Sequence, residues 1–221
     1  MAKIIQLCAT KQEIVKRLAL CFPSWAYRLE GRDMDYTLTF SDMREEDELL
    51  AEELFQEEAY GNGELTLAET LVDLLDYEGL NIALAESCTG GLASALIISV
   101  PGASNVFYEG IVAYSNNSKI DRLAVEVETL RDSGAVSQET AIEMANGLLA
   151  SNIALAVSIT GVAGPQGGTN EKPVGLVYIA AVSEQHTDIH KNIFDGDRNS
   201  IRRQAANMAL FYAVQHIKNH F

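Results

Sequence analysis

Cysteine is scarce: Cys8, Cys21 and Cys88 are the only three in 221 residues. An odd number without metal-ligand spacing argues against a disulfide framework or a zinc-finger pattern. No apolar run approaches the ~20 residues that cross a bilayer. The apolar part of Met1–Cys8 is too short for a signal peptide, so a cytoplasmic location is expected. Basic residues are also few. Sixteen Lys and Arg face 31 Asp and Glu, for a net charge of −15. A non-specific nucleic-acid binder needs a basic surface, so neither nucleic acid nor membrane is an expected partner. Histidine is confined to the last forty residues, as His186/His190 and His216/His220. Neither pair has a third ligand at usable spacing along the chain, so no metal and no organic cofactor is expected.

What is present suffices for one sizeable core plus a small appendage, with 48% of residues hydrophobic. Residues 1–62 read as a small acidic α+β unit. Thr10 to Glu13 resembles a capping box opening a helix to about Leu20. Tyr27–Leu29 and Tyr36–Phe40 suggest a hairpin. Residues 41–58 hold nine acids and one base, over half of the net charge. Leu49, Leu50, Leu54 and Phe55 recur there at helical spacing, which predicts an amphipathic helix with an acidic outer face. Gly61-Asn62-Gly63 reads as a linker.

Residues 65–221 alternate strand and helix patterns. Helices are predicted at 67–77, 92–99, around 119–124, from Ser137 onward, and from Asp197 to about Asn219. Strands are predicted at 81–85, 110–115, 154–159, 174–182 and 187–194. That order implies a three-layer α/β/α domain with a mixed, mostly parallel sheet. The last two strands follow one another without a helix, so they form an antiparallel pair.

The chemistry gathers at predicted strand ends. In Ala85-Glu86-Ser87-Cys88-Thr89-Gly90-Gly91, Ser87 stands at a strand-to-helix turn. Helix N–H groups from Thr89 to Gly91 suit an oxyanion there, beside a nucleophilic hydroxyl. A plain turn with a capping serine is the competing reading of that segment. Cys88 is the rival nucleophile, or a small buried hydrophobe. A serine needs a base, and Lys119 is the candidate in place of histidine, provided that it is desolvated. Most lysines are instead exposed. If the strands before Ser87 and Tyr114 are parallel neighbours, Ser87, Tyr114 and Lys119 converge. The loop Thr160–Thr169 has four glycines whose N–H groups can cradle an anion. Arg198, Arg202 and Arg203 oppose the dipole of their own helix, and Arg198 suits a bidentate phosphate contact. Pairing of Arg198 with Asp195 or Asp197 is the alternative.

From about Leu67 onward the chain resembles the CinA C-terminal-domain family, whose enzymatic members are nicotinamide mononucleotide deamidases. The resemblance rests on six ordered motifs. They are Ala85–Gly91, Tyr114-Ser115-Asn116 with Lys119, Gly134–Ser137, Thr160–Gly168, Glu171–Gly175 and Gly196-Asp197-Arg198. It implies Ser87 as nucleophile, Lys119 as base and Tyr114 as assistant. The substrate-binding set expected on these motifs is Glu86, Thr89, Gly90, Gly91, Asn116, Thr160, Gly161, Gly164, Gly167, Gly168 and Arg198. It also implies a homodimer or larger homo-oligomer acting on a small nucleotide. Residues 1–62 match nothing in the family. A non-catalytic nucleotide-binding or docking module is the rival expectation.

Overall fold

In the computed structural model, which describes residues 3–22, 24–41, 43–61, 63, 65–149 and 152–221, the chain divides into two compact units, residues 1–70 and 71–221. The first carries β1 (Lys3–Cys8), α1 (Lys11–Cys21), β2 (Tyr27–Arg32), β3 (Asp35–Phe40), α2 (Glu45–Leu54) and β4 (Ala59–Gly61). Thr10 caps α1 by accepting from the Glu13 N–H at 3.1 Å. The strands form an antiparallel sheet in the order β2-β3-β1-β4. Ile5, Leu7, Ile14, Leu18, Leu38 and Phe40 fill its core.

Three details differ from expectation. β1 forms from the short apolar stretch near the N-terminus, for which the sequence predicts no element. Gly61, expected in the linker, belongs to β4, and Asn62 lies outside the described residues. In α2 the inward stripe is Asp47, Ala51 and then Phe55, spaced by four, while Leu49 and Leu50 are 65% and 46% exposed. The helical period of 3.6 places positions 49 and 50 off that stripe. Asp47 tolerates burial because Arg44 grips it with two bonds, of 2.8 and 2.9 Å. Asp42 and the side chains of Glu45 and Glu46 lie outside the described residues.

The division falls within α3 (Leu67–Glu78). Beyond it come β5 (Ile82–Glu86), α4 (Leu92–Ile98), β6 (Phe107–Val112), α5 (Asn116–Leu123), α6 (Val127–Asp132) and α7 (Gln138–Asn146). Next come β7 (Leu155–Gly161), β8 (Leu176–Val182), β9 (Thr187–Ile193) and α8 (Arg198–His220). The sheet order is β6-β5-β7-β8-β9. β5 pairs in parallel with β6 and β7; β7/β8 and β8/β9 are antiparallel. Four strands therefore run one way and β8 the other.

Both faces of this sheet are covered. Ala83, Ala85, Ala156 and Ala180 pack against Ala141, Met144 and Ala145 of α7. The alternate residues Leu155, Val157 and Ile159 point the other way, to the layer of α4 and α8. This explains why β5 is apolar nearly throughout instead of alternating. Each Leu, Ile or Val fully buried there contributes about 1.5–3 kcal/mol. β6 ends at Val112, three residues before the expected limit. Ser115 is needed as the cap of α5, where it accepts from the Ser118 N–H at 3.1 Å.

Candidate active site

The parallel pairing of β5 with β6 and β7 fixes the nucleophile turn. Ser87 follows β5 directly, and its N–H donates to the Ile159 carbonyl of β7 at 2.9 Å. On the other side, the Ala113 N–H donates to the Glu86 carbonyl at 2.9 Å. Gly91 then adopts a left-handed conformation, φ 90°, that lets the chain enter α4 sharply.

Glu86 is the largest departure from the expected site. Its side chain is fully buried and does not line the pocket that holds Ser87. The carboxylate accepts from the N–H groups of Gly91 (2.9 Å), Ala93 (3.2 Å) and Ser94 (2.8 Å), and from Ser94 Oγ (2.6 Å). It therefore occupies the positive end of α4 itself, the place where an external anion was expected. The Gly91 N–H is consequently not an oxyanion donor.

Lys119 belongs to the first turn of α5 and is 1% exposed. Its Nζ lies 2.9 Å from Ser87 Oγ and donates to the Ala113 carbonyl at 2.7 Å. Burial lowers the pKa of this amine below the usual lysine value. Desolvation and proximity to a hydroxyl are the two conditions a lysine base requires. The neighbouring thiol is shifted the opposite way. Burial pushes Cys88 up to about 12, so it stays protonated at neutral pH.

Ser87 and Lys119 open into a pocket of about 290 Å³. Tyr114, Thr160, Gly161, Gly164, Gly167 and Arg198 line it as well, so eight of the expected residues meet there. Thr160 Oγ1 donates to the Ala135 carbonyl at 2.6 Å and holds two walls of the pocket together. Arg198 donates to the Gly164 carbonyl (2.8 Å) and to Tyr114 Oη (3.0 Å). Neither Asp195 nor Asp197 forms an ion pair with Arg198 among the described residues. Asp197 instead caps α8, accepting from the Ser200 N–H at 2.8 Å. Tyr114 is 62% exposed, and its hydroxyl engages Arg198, not the serine or the lysine.

Thr89, Gly90, Gly91, Asn116 and Gly168 do not line the pocket. Thr89 Oγ1 is buried without a hydrogen-bond partner among the described residues. Cys88, Ala135, Val136, Val162, Ala163 and Gln166 line the pocket without having been expected there. Ala135 and Val136 lay within a quoted motif, and Gln166 within the glycine loop; those were the available signals. Arg202, expected only as one of three cations at the start of α8, also reaches the nucleophile turn. It stands four residues after Arg198, on the same face of α8. Its guanidinium donates to the Thr89 carbonyl (2.6 and 3.2 Å) and to the Cys88 carbonyl (3.2 Å). For Arg202, the carbonyls of the nucleophile turn offset the cation at that helix start. Planar peptides then turn the Thr89 and Gly90 N–H groups away from Arg202.

A buried serine–lysine pair at the carboxyl ends of parallel strands, under a three-layer α/β sheet, defines the class of this domain. The family model of the CinA C-terminal domain matches residues 64–217, and the chain belongs to that family. A CinA-like protein of Kosmotoga olearia is 55% identical over 152 residues, covering 68% of this chain and 37% of that protein. A crystal structure of the competence/damage inducible protein CihA from Agrobacterium tumefaciens aligns with a TM-score of 0.65 at 40% identity, covering 67% of this chain and 93% of that one. The competence damage-inducible protein A of Klebsiella pneumoniae subsp. pneumoniae aligns with a TM-score of 0.68 at 29% identity, covering 70% and 97%. The chain spans well under half the length of the curated relatives it matches.

Proposed function

We propose that this chain is an amidohydrolase that converts nicotinamide mononucleotide to nicotinate mononucleotide and ammonia. One observation carries the reading: a buried lysine amine, with its pKa lowered by burial, 2.9 Å from a serine hydroxyl at a strand-to-helix turn. The substrate class comes from the resemblance and is supported by Arg198 in the same pocket.

Neutral Lys119 takes the Ser87 proton as Oγ bonds to the carboxamide carbon. The oxyanion falls to the Cys88 N–H, since Cys88 lines the pocket while Thr89 and Gly90 do not, and the N–H groups of Ser87, Gly91, Ala93 and Ser94 are already engaged. The C–N bond then breaks, and Lys119 returns the proton to the departing ammonia. Water, deprotonated by the same amine, hydrolyses the Ser87 ester and releases the carboxylate. Arg198 holds the phosphate, with Gly164 and Tyr114 aiming its guanidinium.

The test is ammonia release from nicotinamide mononucleotide. Ser87→Ala and Lys119→Ala each lower turnover by roughly 10³-fold or more, and the double variant is little worse, because the two groups act as a unit. Near-normal turnover in either single variant refutes the pair. A wild-type chain that binds the nucleotide without releasing ammonia is a binding module instead.

A further inference from the structure

Along the chain the histidines offer two ligands at a time. The fold adds the third. On α8 a spacing of four puts His216 and His220 on one face. Asp188, from β9, meets that face. Its Oδ2 lies 2.6 Å from His216 Nδ1 and 3.1 Å from His220 Nε2. The three ligand atoms all lie within 4.8 Å of one another. The other ring nitrogen of His216, Nε2, lies 3.0 Å from Ser183 Oγ, and the ring is fully buried. Ser183 and His220 also line a cavity of about 540 Å³, where His186 stacks on His220 at 4.1 Å.

We propose that Asp188, His216 and His220 bind a divalent transition-metal ion of the zinc type, at a site separate from the Ser87 pocket. Two imidazole nitrogens and one carboxylate oxygen form the three-ligand set of open tetrahedral zinc sites. Imidazoles select such ions over magnesium and calcium, which take oxygen ligands. One carboxylate oxygen is shared by both rings. A serine–histidine–aspartate relay needs one ring on its carboxylate; a common metal needs the convergence seen here. With the metal bound, His216 coordinates through Nδ1 and keeps its proton on Nε2. That proton faces Ser183 Oγ, which fixes the tautomer and the ring plane. Ligands about 2.1 Å from zinc at tetrahedral angles stand about 3.4 Å apart. Asp188 therefore withdraws from His216 by less than about 1 Å on loading, and its side chain, which is 34% exposed, has room to do so.

The untagged full chain, stripped with a chelator, is titrated with Zn²⁺ or Co²⁺ alone by calorimetry. One ion binds per chain, excess Mg²⁺ does not compete, and Co²⁺ gives the visible absorption of a low-coordinate site without a thiolate charge-transfer band. Asp188→Asn and His220→Ala each weaken binding by about tenfold or more, with an unchanged circular dichroism spectrum. His190→Gln is the control. That ring stacks on Tyr212 at 3.6 Å, outside the three-ligand set, and its loss leaves binding intact. No binding below about 100 µM Zn²⁺, or wild-type affinity in both ligand variants, overturns the site.

Discussion

Glu86→Gln isolates the role of the buried carboxylate beneath the nucleophile turn. The two side chains have nearly the same shape, so packing is conserved. The carboxylate offers two oxygens. Oε1 accepts from the Ser94 N–H and Oγ, and Oε2 from the N–H groups of Gly91 and Ala93. Glutamine keeps one oxygen and presents an NH₂ in place of the other. With its oxygen towards Ser94, the NH₂ faces two N–H donors that then have no acceptor. Each unsatisfied buried donor costs about 1–3 kcal/mol, and the lost charge at the helix start adds to this. The expected destabilisation is about 2–4 kcal/mol, the lower part of that sum, because of the two orphaned donors Gly91 is partly accessible to water. At about 2–4 °C per kcal/mol for a chain of this size, the melting temperature falls by roughly 5 °C or more. Thermal unfolding followed by circular dichroism measures it. Turnover falls too, because α4 no longer holds the turn that carries Ser87. A melting temperature within 1 °C of wild type together with unchanged turnover would show that Glu86 does not organise this turn.

The pH profile has a definite sign. Lys119 acts as a neutral amine, and burial lowers its pKa from the usual 10.5. kcat/KM therefore climbs with pH and levels off below 10.5, while Lys119→Arg abolishes the plateau; a flat profile from pH 6 to 10 would exclude this base. The unfolded chain keeps a proton that the folded lysine has shed, so conformational stability from this group rises with pH across the same window. Arg198→Ala raises KM for nicotinamide mononucleotide, since a charge-assisted bond is worth about 1.5–3 kcal/mol, and barely alters the weak activity on nicotinamide riboside. Equal losses on both substrates would make Arg198 structural. Cys88→Ala keeps most of its ammonia release and iodoacetamide leaves the wild type active, because the thiol is buried and protonated; inactivation by either would restore Cys88 as nucleophile.

The sequence by itself determined which residues could do the chemistry and much of the order of the elements. Local physics was enough for this. Thr10, Ser137 and Asp197 cap helices because a short oxygen-bearing side chain before a helix has one good use. The alternation of strand and helix patterns implied a layered sheet, and the apolar runs of β5 and β7 agree with one covered on both faces. A serine, a lysine and a glycine loop, each just past a strand, announced one site once those strands were parallel neighbours.

What only the tertiary structure decided is the destination of each polar group. An acidic residue beside a nucleophile can face a substrate or cap the next helix, and nothing local separates the two. Glu86 is a cap because the direction of α4 aims three N–H groups at it. A lysine's pKa depends on its surroundings, and the Lys119 amine is buried against Ser87, 32 residues earlier in the chain. Arg202 reaches carbonyls more than a hundred positions earlier, and α8 alone gives no sign of that target. Asp188 joins His216 and His220 across a gap of 28 and 32 residues. Spacing along the chain carries no information about such a gap, because a strand and a helix far apart in sequence become neighbours only when the sheet is assembled.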